Sequence, residues 1–313
     1  MKTRKVGIIG VGHVGAHVAF SLATQGICDE LYLCDVNQQK AISEKQDLLD
    51  SVAYLPHRLQ ITVANQYEDL VDCDVIVISV GSIDAQTMDR LAELQRSVDE
   101  VRTFVPRLKA AGFKGIYLSI TNPCDIIAYE VYKMSGLDTA RVIGTGTGLD
   151  TARFKAILAD ATGYDHKSIT AYMLGEHGDS QMVAWSAVTF GGKPLSQLEQ
   201  EQPERFTFNK EAIREKVKQA AWVTFAGKNA TEFGIASTAA HMIHVIFHDE
   251  KQILPASTLM DGYYGQTGLY ASVPCVLGKD GIEEVISLNL TEDEQTAFFH
   301  TCQVMKDHIA KIQ

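Results

Sequence analysis

The sequence lacks any apolar run approaching the ~20 residues that a membrane-crossing helix requires, and it lacks positive charge. Lys and Arg number 28 against 39 Asp and Glu, a net charge of −11 at pH 7. Such an acidic surface repels phosphate backbones and anionic lipid, so neither a nucleic acid nor a membrane is expected as a partner. The six cysteines, Cys28, Cys34, Cys73, Cys124, Cys275 and Cys302, are scattered, with no CxxC and no Cys/His pairing at metal spacing. No metal is expected. Scattered thiols suit a reducing compartment, where they pack as small apolar side chains, and this points to the cytoplasm. Met1-Lys2-Thr3-Arg4-Lys5 runs at once into Val6-Gly7-Ile8-Ile9-Gly10, a stretch too short and glycine-rich for a signal-peptide core.

What is present is a chain of 313 residues, 46% hydrophobic, a length that suits two domains better than one. The first part alternates short apolar runs with helical periodicity. Strands are predicted at Lys5–Ile9, Glu30–Cys34, Gln60–Val63, Asp74–Ser79, Gly115–Ser119 and Arg141–Ile143, with helices between them at His13–Gln25, Gln38–Ala53, Leu91–Ala111 and Pro123–Met134. Val75-Ile76-Val77-Ile78 is continuous rather than alternating, as expected of a parallel strand buried on both faces. This repetition predicts an α/β fold with a doubly wound parallel sheet. Past about residue 145 the pattern changes. A helix at Leu149–Ala161 precedes strand-like Ser168–Leu174 and Ser180–Phe190. Helices over 209–227 and 232–247 lead to alternating runs near 253–260, 268–277 and 284–290, and a helix capped by Thr291 and Glu294 ends the chain. The expected division is residues 1–144 and residues 145–313, the second a mixed α+β domain, packed together around a cleft.

Gly10-Val11-Gly12-His13-Val14-Gly15 is a GxGxxG sequence that follows an apolar strand and opens a helix. Gly10 permits the tight turn, Gly12 lets the backbone approach a pyrophosphate, and Gly15 allows close helix–sheet packing. The helix N-terminus adds unpaired N–H groups. Asp35 ends the second strand, 20 residues past Gly15, where a carboxylate accepts hydrogen bonds from both ribose hydroxyls of NAD and repels the extra phosphate of NADP. The first domain therefore reads as a Rossmann-type NAD-binding unit.

Four polar signals stand where neither core nor loop requires them. His177, in Gly175-Glu176-His177-Gly178-Asp179-Ser180, lies on irregular backbone and can change charge near neutral pH. Taken alone it would read as a surface-turn histidine. Asp150 and Arg153 share one helical face. They form either a simple intrahelical pair or an acid partnered to His177 with a nearby anion-binding guanidinium. Asn122, before Pro123 at a strand's carboxyl end, is placed to contact a ligand or to cap a helix. Arg90 follows a polar segment, Gly81–Asp89, that could carry it inward as a lid or leave it solvated in a first helical turn.

Together these residues resemble the L-lactate/malate dehydrogenase family over essentially the whole chain. The resemblance rests on Gly10, Gly12 and Gly15 with Asp35, on Asp89-Arg90-Leu91 and Thr121-Asn122-Pro123, and on Leu149-Asp150-Thr151-Ala152-Arg153 and Gly175-Glu176-His177-Gly178-Asp179-Ser180. Within the family it is most similar to the L-2-hydroxyisocaproate dehydrogenase branch. The resemblance implies a reversible hydride transfer between NADH and a 2-oxo acid. His177 would be the proton donor and acceptor, with Asp150 behind it. Arg153 would grip the substrate carboxylate, and Arg90 would polarise the carbonyl. Asn122 would bond at the active site, Thr231 would line it, and Ile235 would pack on the nicotinamide. It also implies a homo-oligomer, a tetramer or a dimer.

In this family the lid selects the substrate side chain, and Asp84 stands at or beside the selector position. No Arg or Lys precedes Arg90 in the lid, which argues against a second substrate carboxylate. Gly148 and Ala220-Ala221 suggest a roomier pocket. The expected substrate is thus a 2-oxo acid with a medium apolar side chain, with pyruvate, as in an L-lactate dehydrogenase, as the alternative. A non-catalytic NAD-sensing module is a further alternative, although it would need no His177, Asp150 and Arg153 together.

Overall fold

The structure, a computed structural model, describes residues 3–81 and 90–312, and of Arg90–Ala92 the backbone alone. Six parallel strands form its centre: β1 (Lys5–Ile9), β2 (Glu30–Cys34), β3 (Gln60–Val63), β4 (Val75–Ile78), β5 (Ile116–Ser119) and β6 (Val142–Gly144). They stand in the order β3-β2-β1-β4-β5-β6 and are all mutually parallel. The order reverses between β1 and β4, so the carboxyl ends of these strands open a crevice there, where doubly wound sheets take their ligands. The connecting helices are α1 (His13–Gln25), α2 (Gln38–Val52), α3 (Arg90–Ala111) and α4 (Cys124–Ser135).

The continuous apolar run of β4 has the physical cause its sequence suggested. Val75 and Val77 belong to the core cluster under α1, while Ile76 and Ile78 belong to the cluster under α3 and α4. Both faces of the strand are buried, so no polar alternation appears.

The second half begins with α5 (Gly148–Thr162). It continues through five two-residue strands: β7 (Ile169–Thr170), β8 (Met173–Leu174), β9 (Met182–Val183), β10 (Thr189–Phe190) and β11 (Lys193–Pro194). Next come α6 (Leu195–Glu201), α7 (Pro203–Phe206), α8 (Lys210–Lys228) and α9 (Phe233–His248). The chain ends with β12 (Gln252–Asp261), β13 (Thr267–Gly278), β14 (Gly281–Val285) and α10 (Glu292–Ile309). The antiparallel meander β12–β14 is not a separate layer. Ser257 of β12 pairs with Gly144 of β6, extending the parallel sheet to nine strands. Thr291 and Glu294 form the capping box that starts α10.

Three expectations are corrected, the first being Ser168–Leu174, which is two strands, β7 and β8, in different sheets. The stretch Ser180–Phe190 is not one strand. A helical turn at Trp185–Ala187 divides it, so β9 pairs with β8 while β10 pairs with β7 and β11. Glu294 causes the break by accepting from both the backbone N–H and the hydroxyl of Ser186, at 2.9 and 2.5 Å. The strand expected over 284–290 lies at Gly281–Val285, because the Leu288 N–H leaves the ladder for the Tyr264 hydroxyl at 2.6 Å. The short helices α6 and α7 stand in a segment given no element by the sequence reading.

Candidate active site

The glycine turn lies at the carboxyl end of β1. Gly10 has φ +89°, and its N–H donates to the Cys34 carbonyl at 2.8 Å, tying the turn to β2. A Cβ at Gly15 would lie 1.9 Å from the Gly10 carbonyl oxygen, so only glycine lets α1 start this close to the strand. Gly12 caps α1 without a side chain, no acidic residue stands in the first turn, and a Cβ there would meet nothing within 4 Å. Open backbone N–H groups and space are what a pyrophosphate needs. Asp35 accepts from the Val11 N–H at 2.9 Å and from the Asn37 N–H at 2.8 Å, which fixes its carboxylate beside the turn. The residues present therefore fit a dinucleotide. Gly15→Ala is expected to raise the NADH dissociation constant roughly tenfold or more, the equivalent of ~1.4 kcal/mol. Fluorescence titration of NADH measures this, and unchanged affinity would count against the close-packing role.

Across the crevice, α5 and the 175–180 loop bring three of the sequence-predicted residues together. Asp150, in the first turn of α5, is 2% exposed. His177 Nδ1 lies 2.5 Å from Asp150 Oδ2, and Arg153 Nη1 donates to Asp150 Oδ1 at 3.2 Å. The single Asp150 carboxylate thus holds both the imidazole and the guanidinium. Arg153 keeps further N–H donors beyond this bond. Burial alone would raise the Asp150 carboxyl, but the neighbouring His177 and Arg153 outweigh it and hold it below the usual range. For His177, burial opposes the charged form. The Asp150 carboxylate reverses that, with a smaller contribution from Asp125, and the imidazole is pushed up to about 9. Such a group carries a proton at neutral pH and can give it to a developing alkoxide.

The loop carrying His177 is fixed by residues that the sequence reading missed. Gly175, at φ +87°, exchanges backbone hydrogen bonds with Ser272 of β13 at 3.0 and 2.9 Å. The Glu176 N–H donates to Thr301 Oγ1 on α10 at 3.0 Å, and the Ser180 N–H donates to the Glu176 carboxylate at 3.2 Å. The His177 N–H donates to Asp125 Oδ2 at 2.7 Å. Asp125 follows Asn122-Pro123 in the chain, and its only sequence signal was an acid in a first helical turn.

The other predicted residues are placed less fully. Asn122 is exposed at the carboxyl end of β5, joined to Pro123 by a cis peptide, and it does not cap α4, whose N-cap is Pro123. Thr231 and Ile235, both half-buried, flank the start of α9, which His13 Nδ1 approaches through Glu232 Oε1 at 3.0 Å. This contact brings the 231–235 segment beside the glycine turn. Arg90 opens α3. Its side chain, and Asp84 with the rest of 82–89, lie outside the described residues. Among the described residues no cluster could hold a metal ion, and no helix is long and apolar enough to cross a membrane.

Comparison with known proteins agrees with this geometry. The family model for the lactate/malate dehydrogenase NAD binding domain matches residues 4–144, and that for the lactate/malate dehydrogenase alpha/beta C-terminal domain matches residues 147–313. An L-lactate dehydrogenase of Fusobacterium nucleatum subsp. nucleatum is 45% identical over 310 residues, covering 99% of this chain and 97% of its own. L-lactate dehydrogenase 3 of Bacillus cereus is 42% identical over 311 residues, covering 99% and 98%. Among solved structures, the ligand-bound minor L-lactate dehydrogenase of Enterococcus mundtii superposes with a TM-score of 0.95 at 35% identity, covering 99% of each chain.

Proposed function

This chain belongs to the lactate/malate dehydrogenase family, and within it we propose that it is an L-lactate dehydrogenase, interconverting pyruvate and L-lactate. It is an NAD-dependent oxidoreductase acting on the CH–OH group of a 2-hydroxy acid. The observation that carries the reading is the His177–Asp150–Arg153 group at the carboxyl side of the NAD-binding sheet, in a chain whose relatives are named L-lactate dehydrogenases.

When bound, NADH supplies the hydride for the carbonyl carbon of the 2-oxo acid. The protein's own groups do the rest. Arg153 holds the substrate carboxylate through two parallel N–H bonds. The protonated His177 gives its proton to the carbonyl oxygen, and Asp150 keeps the ring oriented and stabilises its charged form. Arg90 is assigned the task of offsetting the charge that grows on the same oxygen. Asn122 would bond at the active site, Thr231 would line it, and Ile235 would pack beside the nicotinamide. Gly10, Gly12, Gly15 and Asp35 would hold the dinucleotide. In the reverse direction neutral His177 takes the proton from the hydroxyl.

This replaces pyruvate for the medium apolar 2-oxo acid that the sequence favoured. Gly148, one support for a roomier pocket, is small for a different reason. A Cβ there would lie 2.7 Å from Thr238 Cγ2, so its size serves the packing of α5 against α9. The lid still carries no Arg or Lys before Arg90, and Asp84 beside the selector disfavours a substrate with a second carboxylate. We keep the division into a nucleotide-binding part, 1–144, and a substrate-binding part, 145–313. The chain is proposed to work as a cytoplasmic homo-oligomer, in which exposed apolar Phe20, Trp222 and Val223 would be covered by a second copy.

Measuring kcat/KM with NADH for pyruvate, oxaloacetate, 2-oxoisocaproate and phenylpyruvate tests the assignment. Pyruvate is expected to lead. Preference for 2-oxoisocaproate would restore the larger-pocket reading, and preference for oxaloacetate would overturn the lid argument.

A further inference from the structure

One buried carboxylate takes no part in the chemistry above. Asp125, in the first turn of α4, is 2% exposed. Its Oδ2 accepts from the His177 N–H at 2.7 Å, and its Oδ1 accepts from the Ser272 hydroxyl at 3.2 Å. Ser272 Oγ in turn accepts from the N–H of Thr147, the N-cap of α5, at 3.0 Å. Asp125 therefore joins the backbone under the imidazole to the turn that begins the helix carrying Asp150 and Arg153.

We propose that Asp125 is a positioning residue whose ionised carboxylate locks the His177 loop and the start of α5 into one unit, keeping the imidazole in register with Asp150. Both of its partners are donors. The His177 N–H has no other role, and Ser272 Oγ, already accepting from Thr147, has its own hydrogen to give. A carboxylate satisfies both, whereas an amide or a neutral carboxyl presents a donor to one of them. Facing the His177 N–H, such a donor is left unpaired; facing Ser272, it makes the hydroxyl accept and turn its own hydrogen away, so either way one of the two links is lost.

The electrostatics point the same way. Burial pushes the Asp125 carboxyl up to about 6, while the Ser257 hydroxyl, the His177 N–H and the charge on His177 pull it back toward the ionised form. That charge also helps His177 keep its proton. The titratable groups around Asp125 are His177 and Glu176 of the loop, Cys124 beside it and Cys302 on α10, while β12 and β13 present the hydroxyls of Ser257 and Ser272.

The inference rests on the role proposed for His177, and it is tested in the full chain with Asp125→Asn and Ser272→Ala. For Asp125→Asn, kcat/KM for pyruvate is expected to fall ~10–100-fold through misplacement of the proton donor, with the NADH dissociation constant unchanged. The basic limb of its pH profile is expected to move down by about one pH unit, because a negative charge near the imidazole is gone. Ser272→Ala keeps that charge, so a smaller loss with the basic limb in place is expected. Asp125→Asn with wild-type kcat/KM and an unmoved limb overturns the inference. If Asp125→Asn loses NADH binding along with activity, Ser272→Ala decides. Reduced kcat/KM with intact NADH affinity supports the inference, and wild-type behaviour overturns it. A wild-type protein that reduces no 2-oxo acid overturns the parent reading as well.

Discussion

Replacing His177 with Asn is expected to lower kcat for 2-oxo acid reduction by about 10²–10⁴-fold, the range usually supplied by a positioned proton donor. Asn can bond to the carbonyl oxygen but has no proton to transfer. NADH affinity should stay near wild type, because the glycine turn and Asp35 are fixed by the β1–α1 and β2 segments, through Cys34 and Val11, and not by the His177 backbone. The wild-type pH dependence is expected to carry the same signature. Burial works against the imidazolium, but the Asp150 carboxylate 2.5 Å away prevails and the imidazole is pushed up to about 9. Reduction needs the protonated ring, so its kcat/KM holds below that value and falls as pH rises through it. Oxidation of the hydroxy acid needs the neutral ring and rises over the same interval. Asp150→Asn removes the dominant favourable charge, so the reduction limb moves toward the ordinary histidine range near 6.5. Stopped-flow rates for both directions across pH 5–10 would settle it. Near-normal reduction by His177→Asn, or a limb indifferent to Asp150→Asn, would remove His177 from the proposed mechanism.

The parts of the molecule legible in the sequence are those governed by nearest neighbours. The bounds of β1, β2, β3 and α1 agree with the expected ones residue for residue. β1 and β2 are apolar runs ended by Gly10 and Asp35, and α1 opens at the glycine turn and stops at Gly26 in the left-handed region, so local signals mark their bounds. The His177–Asp150 pair was also legible, because each residue sits in a local setting that is odd for a core or a loop. What was illegible depends on partners 52 to 147 residues away along the chain. The break at Trp185–Ala187 exists because Glu294 reaches Ser186 from α10, and no pattern inside 180–190 records that. Asp125 looks like an ordinary acid complementing a helix N-terminus. Its work is visible only once β13 brings Ser272 to it and the loop lays the His177 N–H across it. The packing demand on Gly148 was hidden too, since the side chain that limits its size, Thr238, comes from α9.

Arg153→Lys is the substitution that separates charge from geometry at the substrate end of the site. The Arg153 side chain is 14% exposed and already spends one N–H on Asp150 Oδ1 at 3.2 Å, which fixes the plane of the guanidinium. The remaining donors then form a rigid fork matched to a carboxylate. Lysine keeps the positive charge and loses the fork, and its ammonium is free to turn wholly toward Asp150. Losing one charge-assisted hydrogen bond of the fork while keeping the charge costs about 1.5–3 kcal/mol, or roughly 10–10²-fold. The loss is expected chiefly in KM for pyruvate, with a further fall in kcat because a loosely held carboxylate lets the carbonyl drift from His177. NADH affinity should be unchanged. The basic limb of the pH profile should stay near 9, since Asp150, His177 and one positive charge are all retained. A variant with unchanged KM would mean that the substrate carboxylate is held elsewhere, whereas a limb that moved with Arg153→Lys would mean that the guanidinium acts on His177 through Asp150 more than on the substrate.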